Sequence, residues 1–283
     1  MDGKVVAITG GTSGIGQVAA VELAQRGARI ILIARNAARA AEVLADIKRA
    51  RPGVSHRALQ ADLASILDTR KVAAEIATSE PRIDVLINNA GALFNRREVS
   101  ADGLEMTFAV NHMAYFVLTA GLIPTLRASA PARIVNTASG AHRGASLDFN
   151  DLQSGRHYLG FQAYGRSKLC NILFTRELAR RLAGGGVTAN CLHPGFVATR
   201  FGARSGGLVQ ALLPVAKLAA ISPRKGARTI VWLASSPQVA AVSGRYFHRC
   251  EPETPSAEAQ EDTAAARLWS ESEALAAAVP HAG

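Results

Sequence analysis

The chain has 283 residues, of which 48% are hydrophobic and 19% charged, and it carries a net charge of +10 at pH 7. This composition excludes a disordered chain, while the length suits one large α/β domain with a full core. The sequence contains no run of about 18 uninterrupted apolar residues and no C-x-x-C pair among its three cysteines, so we expect neither a membrane span nor a metal site or disulfide framework.

An apolar run at Lys4–Ile8 opens the chain and predicts its first strand. Because this strand begins so close to Met1, we expect no signal peptide or N-terminal anchor, and hence a cytoplasmic protein. A glycine-rich stretch, residues 9–16, and an amphipathic segment, Gln17–Gln25, follow directly. A strand, a glycine turn and a helix start in this order predict a pyrophosphate site, since glycine admits a close approach and the helix N-terminus is partially positive. A purely structural turn is the alternative.

Strands and helices then alternate along the chain. Further strands are predicted at Arg29–Ala34, His56–Leu59, Ile83–Ile87, Arg133–Thr137, Val187–Leu192 and Gly244–Phe247. Helices are predicted at Ala37–Ala50, Ser65–Ser79, Gly103–Arg127, Phe161–Ala183 and Pro223–Ser235. This alternation is typical of right-handed βαβ units, and it predicts a single-domain α/β fold with a doubly wound parallel sheet and helices on both faces.

Ligands of such a sheet bind beyond the carboxyl ends of the strands, so the residues that follow each strand carry the most information. The second strand is followed by Arg35, 19 residues beyond Gly16, where many NAD-binding folds place an acid for the ribose 2′-hydroxyl. An arginine there suits the 2′-phosphate of NADP(H), which its planar fork of donors can grip. An exposed arginine without a ligand is the alternative.

The other strand ends add polar and glycine residues at the same edge of the sheet. Asn amides can tie neighbouring loops together, and proline and glycine stop a strand and turn the chain across the mouth of the site. The residues that we expect to contact a bound dinucleotide, besides Arg35, are Gly10, Thr12, Ser13, Gly14, Ile15, Gly16, Asp62, Leu63, Asn89, Ala90, Gly91, Pro194 and Gly195.

A phenol and an ammonium stand four residues apart at Tyr164 and Lys168, hence on one face of the helix that follows the fifth strand. A cation beside the phenol is expected to lower its pKa and to allow proton exchange near neutral pH. The chain has 6 lysines against 26 arginines, so a lysine at this position is notable. Ser139 follows the fifth strand and can donate to a developing alkoxide, while Asn111 lies in a helix that disfavours it. A surface pair is the alternative for Tyr164 and Lys168.

These residues together resemble the short-chain dehydrogenase/reductase family over almost the whole chain, from Lys4 to Trp269. The motifs that carry the resemblance are Thr9-x3-Gly14-Ile15-Gly16, Asn88-Asn89-Ala90-Gly91, Asn111, Ser139, Tyr164-x3-Lys168 and Pro194-Gly195-x3-Thr199. The resemblance implies a Rossmann-type fold and an NADP(H)-dependent oxidoreductase that transfers hydride between the nicotinamide and a carbonyl or alcohol carbon.

The resemblance also implies a role for each site residue. Tyr164 would be the general acid/base, and Ser139 would hold the substrate oxygen. Lys168 would lower the tyrosine pKa and bind the nicotinamide ribose, with Tyr164 also contacting the cofactor. Asn111 would hold a water molecule in a proton relay. The nicotinamide carboxamide would be bound by the side chain of Thr199 and the backbone of Val197.

Within the family the chain is most similar to the retinol dehydrogenase branch. The supporting stretches include 134–142, 149–153, 173–178, 244–247 and 267–269. Two departures matter: we expect no N-terminal membrane-anchoring segment of the kind that many such enzymes have, and Ala138 stands where a second serine is usual. The first leaves retinoid substrates and membrane attachment open, and the second leaves Ser139 as the serine of the site.

The apolar segment Gly206–Ile221 is predicted to close over an apolar carbonyl or alcohol substrate, as part of a lid at about 200–222 in a domain that spans 1–250. A dimer contact and a membrane-surface helix are the alternatives for this segment, and a homo-oligomer is compatible with the sequence. Residues 251–283 are predicted to form a solvated acidic extension with a short helix, because Glu251–Glu273 holds seven acids and one base.

Two other classes of function remain open at this point. A catalytically silent NADP-binding sensor or scaffold could use the same fold, although it would need no proton donor. A nucleic-acid binder would explain the positive charge, but the arginines are scattered and no basic-aromatic motif accompanies them.

Overall fold

The computed structural model describes residues 1–195 and 221–280. The strands are β1 (Val5–Thr9), β2 (Arg29–Ala34), β3 (Arg57–Gln60), β4 (Val85–Asn88), β5 (Ala132–Thr137), β6 (Val187–Leu192), β7 (Tyr246–His248) and β8 (Glu251–Pro252). The helices are α1 (Gly14–Gln25), α2 (Ala37–Ala50), α3 (Ile66–Ser79), α4 (Met106–Ala128), α5 (Gly160–Arg181), α6 (Pro223–Ser235) and α7 (Asp262–Ala277).

The eight strands form one sheet in the order β3-β2-β1-β4-β5-β6-β7-β8, with every neighbouring pair parallel except β7 and β8. Successive strand residues point to opposite faces, so Val6 and Ile8 join a core under α1, α2 and α6, whereas Val5 and Ala7 join a core under α3, α4, α5 and α7. The predicted doubly wound parallel sheet is confirmed. Its strand order reverses between β1 and β4, where a crevice opens at the carboxyl ends of the strands.

Helix α4 differs most from its predicted form. It begins at Met106, three residues after the predicted start, because the carboxylate of Glu105 accepts hydrogen bonds of 2.8 Å from the Thr107 and Phe108 N–H groups. Its residues Ala109–Met113 form a π-helical segment. Among the described helices, α4 is the one long and apolar enough to cross a membrane, but 72% of its most apolar window is buried in the fold, as in a core helix.

The C-terminal residues are part of the core. Strand β8 pairs with β7, and α7 packs on α5 with Ala265, Leu268 and Trp269 buried. This differs from the solvated extension expected from the acidic composition, because α7 has an apolar inner face while the acids of the stretch are exposed or only partly buried. The predicted lid at about 200–222 lies outside the described residues except for its last two.

Candidate functional site

The glycine turn after β1 lies against the loop that follows β4. A Cβ at Gly10 would lie 2.7 Å from the Ala90 Cα, and Gly10 has a φ of +65°. A Cβ at Gly16 would lie 2.3 Å from the Gly10 carbonyl oxygen and 2.4 Å from the Asn89 Nδ2. Side chains at either position would therefore collide with backbone or with a fixed amide, which explains why this turn requires glycine.

Hydrogen bonds fasten these two loops together. The Thr9 hydroxyl oxygen accepts from the Asn89 N–H at 2.9 Å and from the Ala90 N–H at 3.0 Å. The Asn89 side-chain amide donates in return to the carbonyl oxygens of Thr9 and Gly10, both at 3.2 Å. Asn89 and Ala90 thus shape the crevice by holding the turn, as the amide chemistry predicts for Asn89.

Helix α1 opens at the end of this turn without a side-chain cap. Its N-cap residue, Ser13, has extended backbone and its hydroxyl makes no capping hydrogen bond. The first N–H groups of α1 have no intrahelical partner, so they and the helix dipole can receive a phosphate. Thr12 is half-buried, Ser13 is exposed, and Ile15 packs partly buried against the core beneath Gly14 and Gly16. The turn therefore fits the pyrophosphate of a dinucleotide.

The ends of β2 and β3 flank the turn. Arg35 is exposed, and its carbonyl oxygen accepts a hydrogen bond of 3.2 Å from the Gln60 side chain. Asp62 accepts from the Ala64 N–H at 3.1 Å and so stabilises its own turn, while the Leu63 side chain is 9% exposed and belongs to the core. Arg35 is thus placed to meet a ligand at this edge, whereas the side chains of Asp62 and Leu63 have structural contacts.

The structure brings Ser139, Tyr164 and Lys168 together beyond the carboxyl end of β5. Ser139 lies close enough to the Tyr164 phenol for its side chain to act on the pKa of that phenol. The Lys168 Nζ lies 5.5 Å from the centroid of the Tyr164 ring and donates a hydrogen bond of 3.1 Å to the Thr137 carbonyl oxygen. Tyr164 is 9% exposed and Lys168 is 2% exposed, so the pair is not a surface pair.

Burial shifts the pKa of both groups. It raises the pKa of Tyr164 to about 12, with the Ser139 hydrogen bond acting in the opposite direction, and it lowers the pKa of Lys168 to about 7. The sequence predicts a lowered tyrosine pKa, and in this structure the shift has the opposite sign. The physical reason is that loss of hydration disfavours the phenolate more than its neighbours stabilise it.

Asn111 lies in the π-helical segment of α4 and is fully buried. Its Oδ1 accepts from the Ala92 N–H at 2.7 Å, and its Nδ2 donates to the Ala92 carbonyl oxygen and the Ser167 hydroxyl, both at 2.9 Å. A Cβ at Gly91 would lie 3.4 Å from the Asn111 Oδ1 and 3.3 Å from the Lys168 Nζ. Asn111 therefore flanks the same backbone position as Lys168, but its amide is occupied by protein partners.

Pro194 and Gly195 turn the chain after β6, next to three polar side chains. The Gly195 N–H donates to the His193 Nδ1 at 3.2 Å, so the proton of His193 is on Nε2, which faces the Glu253 carboxylate at 3.4 Å. The His248 Nδ1 lies 3.1 Å from the same carboxylate oxygen. The expected carboxamide contacts, Val197 and Thr199, lie outside the described residues.

The grouping of His193, His248 and Glu253 also has the residue types of a cation site, with ligand atoms within 4.8 Å of one another. The hydrogen bonds disfavour that interpretation. A metal on the His193 Nε2 would move the proton to Nδ1, where it would point at the Gly195 N–H instead of at an acceptor. Arg143 also binds Glu253, which places a positive charge beside the carboxylate. The cluster is accounted for as a hydrogen-bonded contact between β8 and the end of β6.

Sequence reasoning missed two residues beside the site. Tyr115 is buried next to Lys168, with its ring centroid 5.8 Å from Nζ, and its spacing of four residues from Asn111 on a predicted helix is a signal that could have found it. Glu253 lies in the acidic C-terminal stretch, and no pattern in the sequence indicates that it would fold back on His193.

The comparisons with known proteins agree with this geometry. The family model of the short chain dehydrogenases matches residues 4–206. Human retinol dehydrogenase 14 is 43% identical over 97% of the chain and 87% of its own length, and human retinol dehydrogenase 13 is 42% identical over 96% and 84%.

Solved structures show the same likeness. A protein from Mycobacterium paratuberculosis superimposes with a TM-score of 0.78 and 29% identity, over 98% of this chain and 94% of that one. A short chain dehydrogenase from Burkholderia cenocepacia J2315 in complex with NADP superimposes with a TM-score of 0.69 and 26% identity, over 87% and 96%.

Proposed function

Because the chain belongs to the short-chain dehydrogenase family, and is therefore an oxidoreductase of alcohol and carbonyl groups with a nicotinamide cofactor, we propose that it prefers NADP(H) and acts on apolar substrates. The observation that carries the proposal is the buried arrangement of Ser139, Tyr164 and Lys168 at the carboxyl ends of the strands. The glycine turn and the uncapped start of α1 would hold the pyrophosphate of the cofactor.

When bound, the nicotinamide supplies or accepts a hydride at its C4 atom. During reduction the Tyr164 hydroxyl donates its proton to the substrate oxygen, and during oxidation the Tyr164 phenolate accepts the proton of the alcohol. Ser139 holds the same oxygen and stabilises charge that develops on it. Because burial raises the pKa of Tyr164 to about 12, its phenol is protonated at neutral pH and carries a proton to donate.

Lys168 supports this step from beneath the phenol. As an ammonium it favours the phenolate that remains after proton donation, and it can donate to the ribose hydroxyls of the cofactor. Asn111 holds the backbone of Ala92 and the hydroxyl of Ser167, which fixes the wall of the site opposite Lys168. In this proposal Asn111 shapes the wall of the site, in addition to holding the water molecule that the family resemblance assigns to it.

An apolar substrate is supported by the rim of the site. Phe161 precedes Tyr164 by one turn of α5 and is 67% exposed, and Leu159 is 47% exposed. The Tyr158 hydroxyl donates to the Phe94 carbonyl oxygen at 2.8 Å, which brings a second phenylalanine to the start of the same helix. Exposed apolar side chains so close in the chain to Tyr164 would favour an apolar substrate. The lid over residues 200–222, the cytoplasmic location and a homo-oligomer stay predictions.

NADP(H) preference is proposed on the position and exposure of Arg35. Its guanidinium lies beyond β2, and no described carboxylate forms an ion pair with it, so it is available to a 2′-phosphate. Charge-assisted hydrogen bonds of this kind favour the phosphate over a ribose hydroxyl.

The test is hydride transfer by the purified chain with NADPH or NADH and a panel of ketones, aldehydes and quinones. Two human relatives are named retinol dehydrogenases, so retinaldehyde belongs in the panel. We expect oxidation of NADPH with apolar carbonyls. In Tyr164→Phe we expect kcat to fall about 10²–10⁴-fold, because the transferable proton is lost.

The dissociation constant for NADPH measured in the same variant is the control, and it should stay nearly unchanged. A variant that keeps more than about a tenth of the wild-type kcat, a barrier increase below about 1.4 kcal/mol, would contradict the assignment of Tyr164.

A further inference from the structure

Lys168 carries its amine in a buried place without an ion pair to any described carboxylate. The residue is 2% exposed, and no described carboxylate forms an ion pair with it. Among the described residues its Nζ makes one hydrogen bond, to the Thr137 carbonyl oxygen. Two aromatic rings lie near it, with centroids 5.5 Å away in Tyr164 and 5.8 Å away in Tyr115. A buried ammonium without a counter-ion needs stabilisation from such neutral groups.

Tyr115 is fixed in this position. It lies on α4 one turn after Asn111, is 0% exposed, and donates its hydroxyl proton to the Ala90 carbonyl oxygen at 2.8 Å. Burial raises the pKa of Tyr115 well above its usual value, so the hydroxyl remains a donor and the ring stays neutral. Tyr115 therefore presents a constant aromatic surface to Lys168 instead of competing with Tyr164 as an acid.

We propose that Tyr115 is a positioning residue that, with Tyr164, holds the Lys168 ammonium between two aromatic rings and keeps it charged. The negative face of an aromatic ring attracts a cation within about 6 Å, and the attraction is stronger when water is excluded. This inference rests on the proposed function only for its consequence in turnover. The effect of the two rings on the Lys168 ammonium depends on neither substrate nor cofactor.

The proposal predicts the sign of a pKa change. Burial lowers the pKa of Lys168 to about 7, and the ring faces oppose that shift because they stabilise the ammonium. Weakening one ring face should lower the Lys168 pKa further, by about one pH unit at most. Among the described residues, the groups near the amine are the phenols of Tyr164 and Tyr115, the carbonyl of Thr137, the Asn171 amide on that same carbonyl and, across Gly91, the amide of Asn111.

The sharpest test replaces Tyr115 with phenylalanine and with phenylalanines that carry increasing numbers of fluorine atoms. Fluorine withdraws charge from the ring face with little change in shape, so folding is retained while the attraction for the cation decreases. The Lys168 pKa is measured by trace acetylation with acetic anhydride across a pH series, followed by peptide mass spectrometry. This readout needs no substrate or cofactor.

We expect Tyr115→Phe to leave the Lys168 pKa nearly unchanged, and each fluorine to lower it in steps. The matched control is the same series at Phe116, a buried neighbour on α4 whose ring packs on Phe174 and Trp269 instead of Lys168. A Lys168 pKa that is insensitive to fluorine at 115, or equally sensitive at 116, would overturn the proposal.

The consequence for turnover is a shift of the pH profile. Activity that depends on charged Lys168 should decline at a lower pH in the fluorinated variants, and lowering the pH should restore it. A merely structural defect would not be restored by acid. A shifted Lys168 pKa in a protein without turnover would support the inference and count against the proposed function. If Tyr115→Phe loses as much activity as the variant with the fully fluorinated ring, the effect comes from the Tyr115 hydroxyl. That result would overturn the proposed role of the ring.

Discussion

We propose that the choice between the two nicotinamide cofactors depends on one exposed side chain at the end of β2. Arg35 is expected to bind the 2′-phosphate of NADPH through charge-assisted hydrogen bonds, each worth about 1.5–3 kcal/mol. Arg35→Asp should therefore weaken NADPH binding by about 10- to 100-fold and reverse the preference, because a carboxylate repels the phosphate and can accept from the 2′-hydroxyl of NADH. Dissociation constants from fluorescence titration with both cofactors measure the effect.

Arg26→Asp is the matched control, since it makes the same change of charge just after α1 ends, at the opposite edge of the sheet. It should change the affinity for the two cofactors equally and only slightly. If the wild-type chain binds NADH and NADPH with equal affinity, Arg35 does not have the proposed role.

Residue types and spacing were sufficient to predict the cluster of Tyr164, Lys168 and Ser139, because a four-residue helical spacing and adjacent parallel strand ends both fix proximity. The same reasoning could not give the sign of the Tyr164 pKa shift. That sign depends on how completely the surrounding chain removes water, and neighbouring residues in the sequence do not report it.

The glycine turn is the element whose shape most constrains the site. Alanine substitutions at two glycines, one inside the turn and one outside it, measure how strictly the turn requires glycine. Gly10 and Gly53 both have positive φ values, +65° and +80°, but a Cβ at Gly53 would meet nothing within 4 Å. Gly53→Ala should cost about 1–2 kcal/mol of unfolding free energy for the backbone conformation alone. Gly10→Ala should cost about 1–3 kcal/mol more, because its Cβ meets the backbone of Ala90, which Thr9 holds in place.

Urea unfolding of the two variants measures the difference, and NADPH titration should show a loss of affinity in Gly10→Ala alone. Equal unfolding free energies for both variants would mean that the loop after β4 can move away, and that the contact between the two loops is not rigid.

Element boundaries were predictable where a local signal marks them. Helices α2 and α6 begin and end as predicted, since Asn36 and Ser222 accept capping hydrogen bonds from the residues three positions on. The π-helical segment in α4 had no such signal, because it depends on tertiary contacts. Helix α7 did carry a local signal, because Ala265, Leu268 and Trp269 follow helical spacing. The acidic composition around these residues nevertheless suggested a solvated segment.

At the scale of the whole molecule, α7 closes the core through Trp269. The indole is 8% exposed, stacks on Phe174 at 5.8 Å, contacts Phe116 edge-on at 5.0 Å and lies 4.3 Å beneath the Arg181 guanidinium. Trp269→Ala should therefore cost about 3–5 kcal/mol of unfolding free energy, as for a large buried aromatic.

Trp232→Ala is the control for that prediction, because Trp232 is the second of the two tryptophans and is only half-buried on the opposite face of the sheet. Trp232→Ala should therefore lower the unfolding free energy by less than Trp269→Ala does. In each variant the remaining tryptophan reports unfolding by fluorescence. Equal costs would show that α7 contributes little to the stability of the fold, contrary to its packing on α5.

The position of α7 also affects how the protein folds during its synthesis on the ribosome. Helix α7 is synthesised after every other described element, yet it covers aromatic side chains of α4 and α5, including Phe116 and Phe174. Until α7 has left the ribosome, that apolar face has no cover from it, and exposed surfaces of this kind bind chaperones or aggregate. The apolar face of α4 and α5 is therefore covered only after α7 has left the ribosome, and a chain truncated before α7 would expose this face to chaperones and proteases.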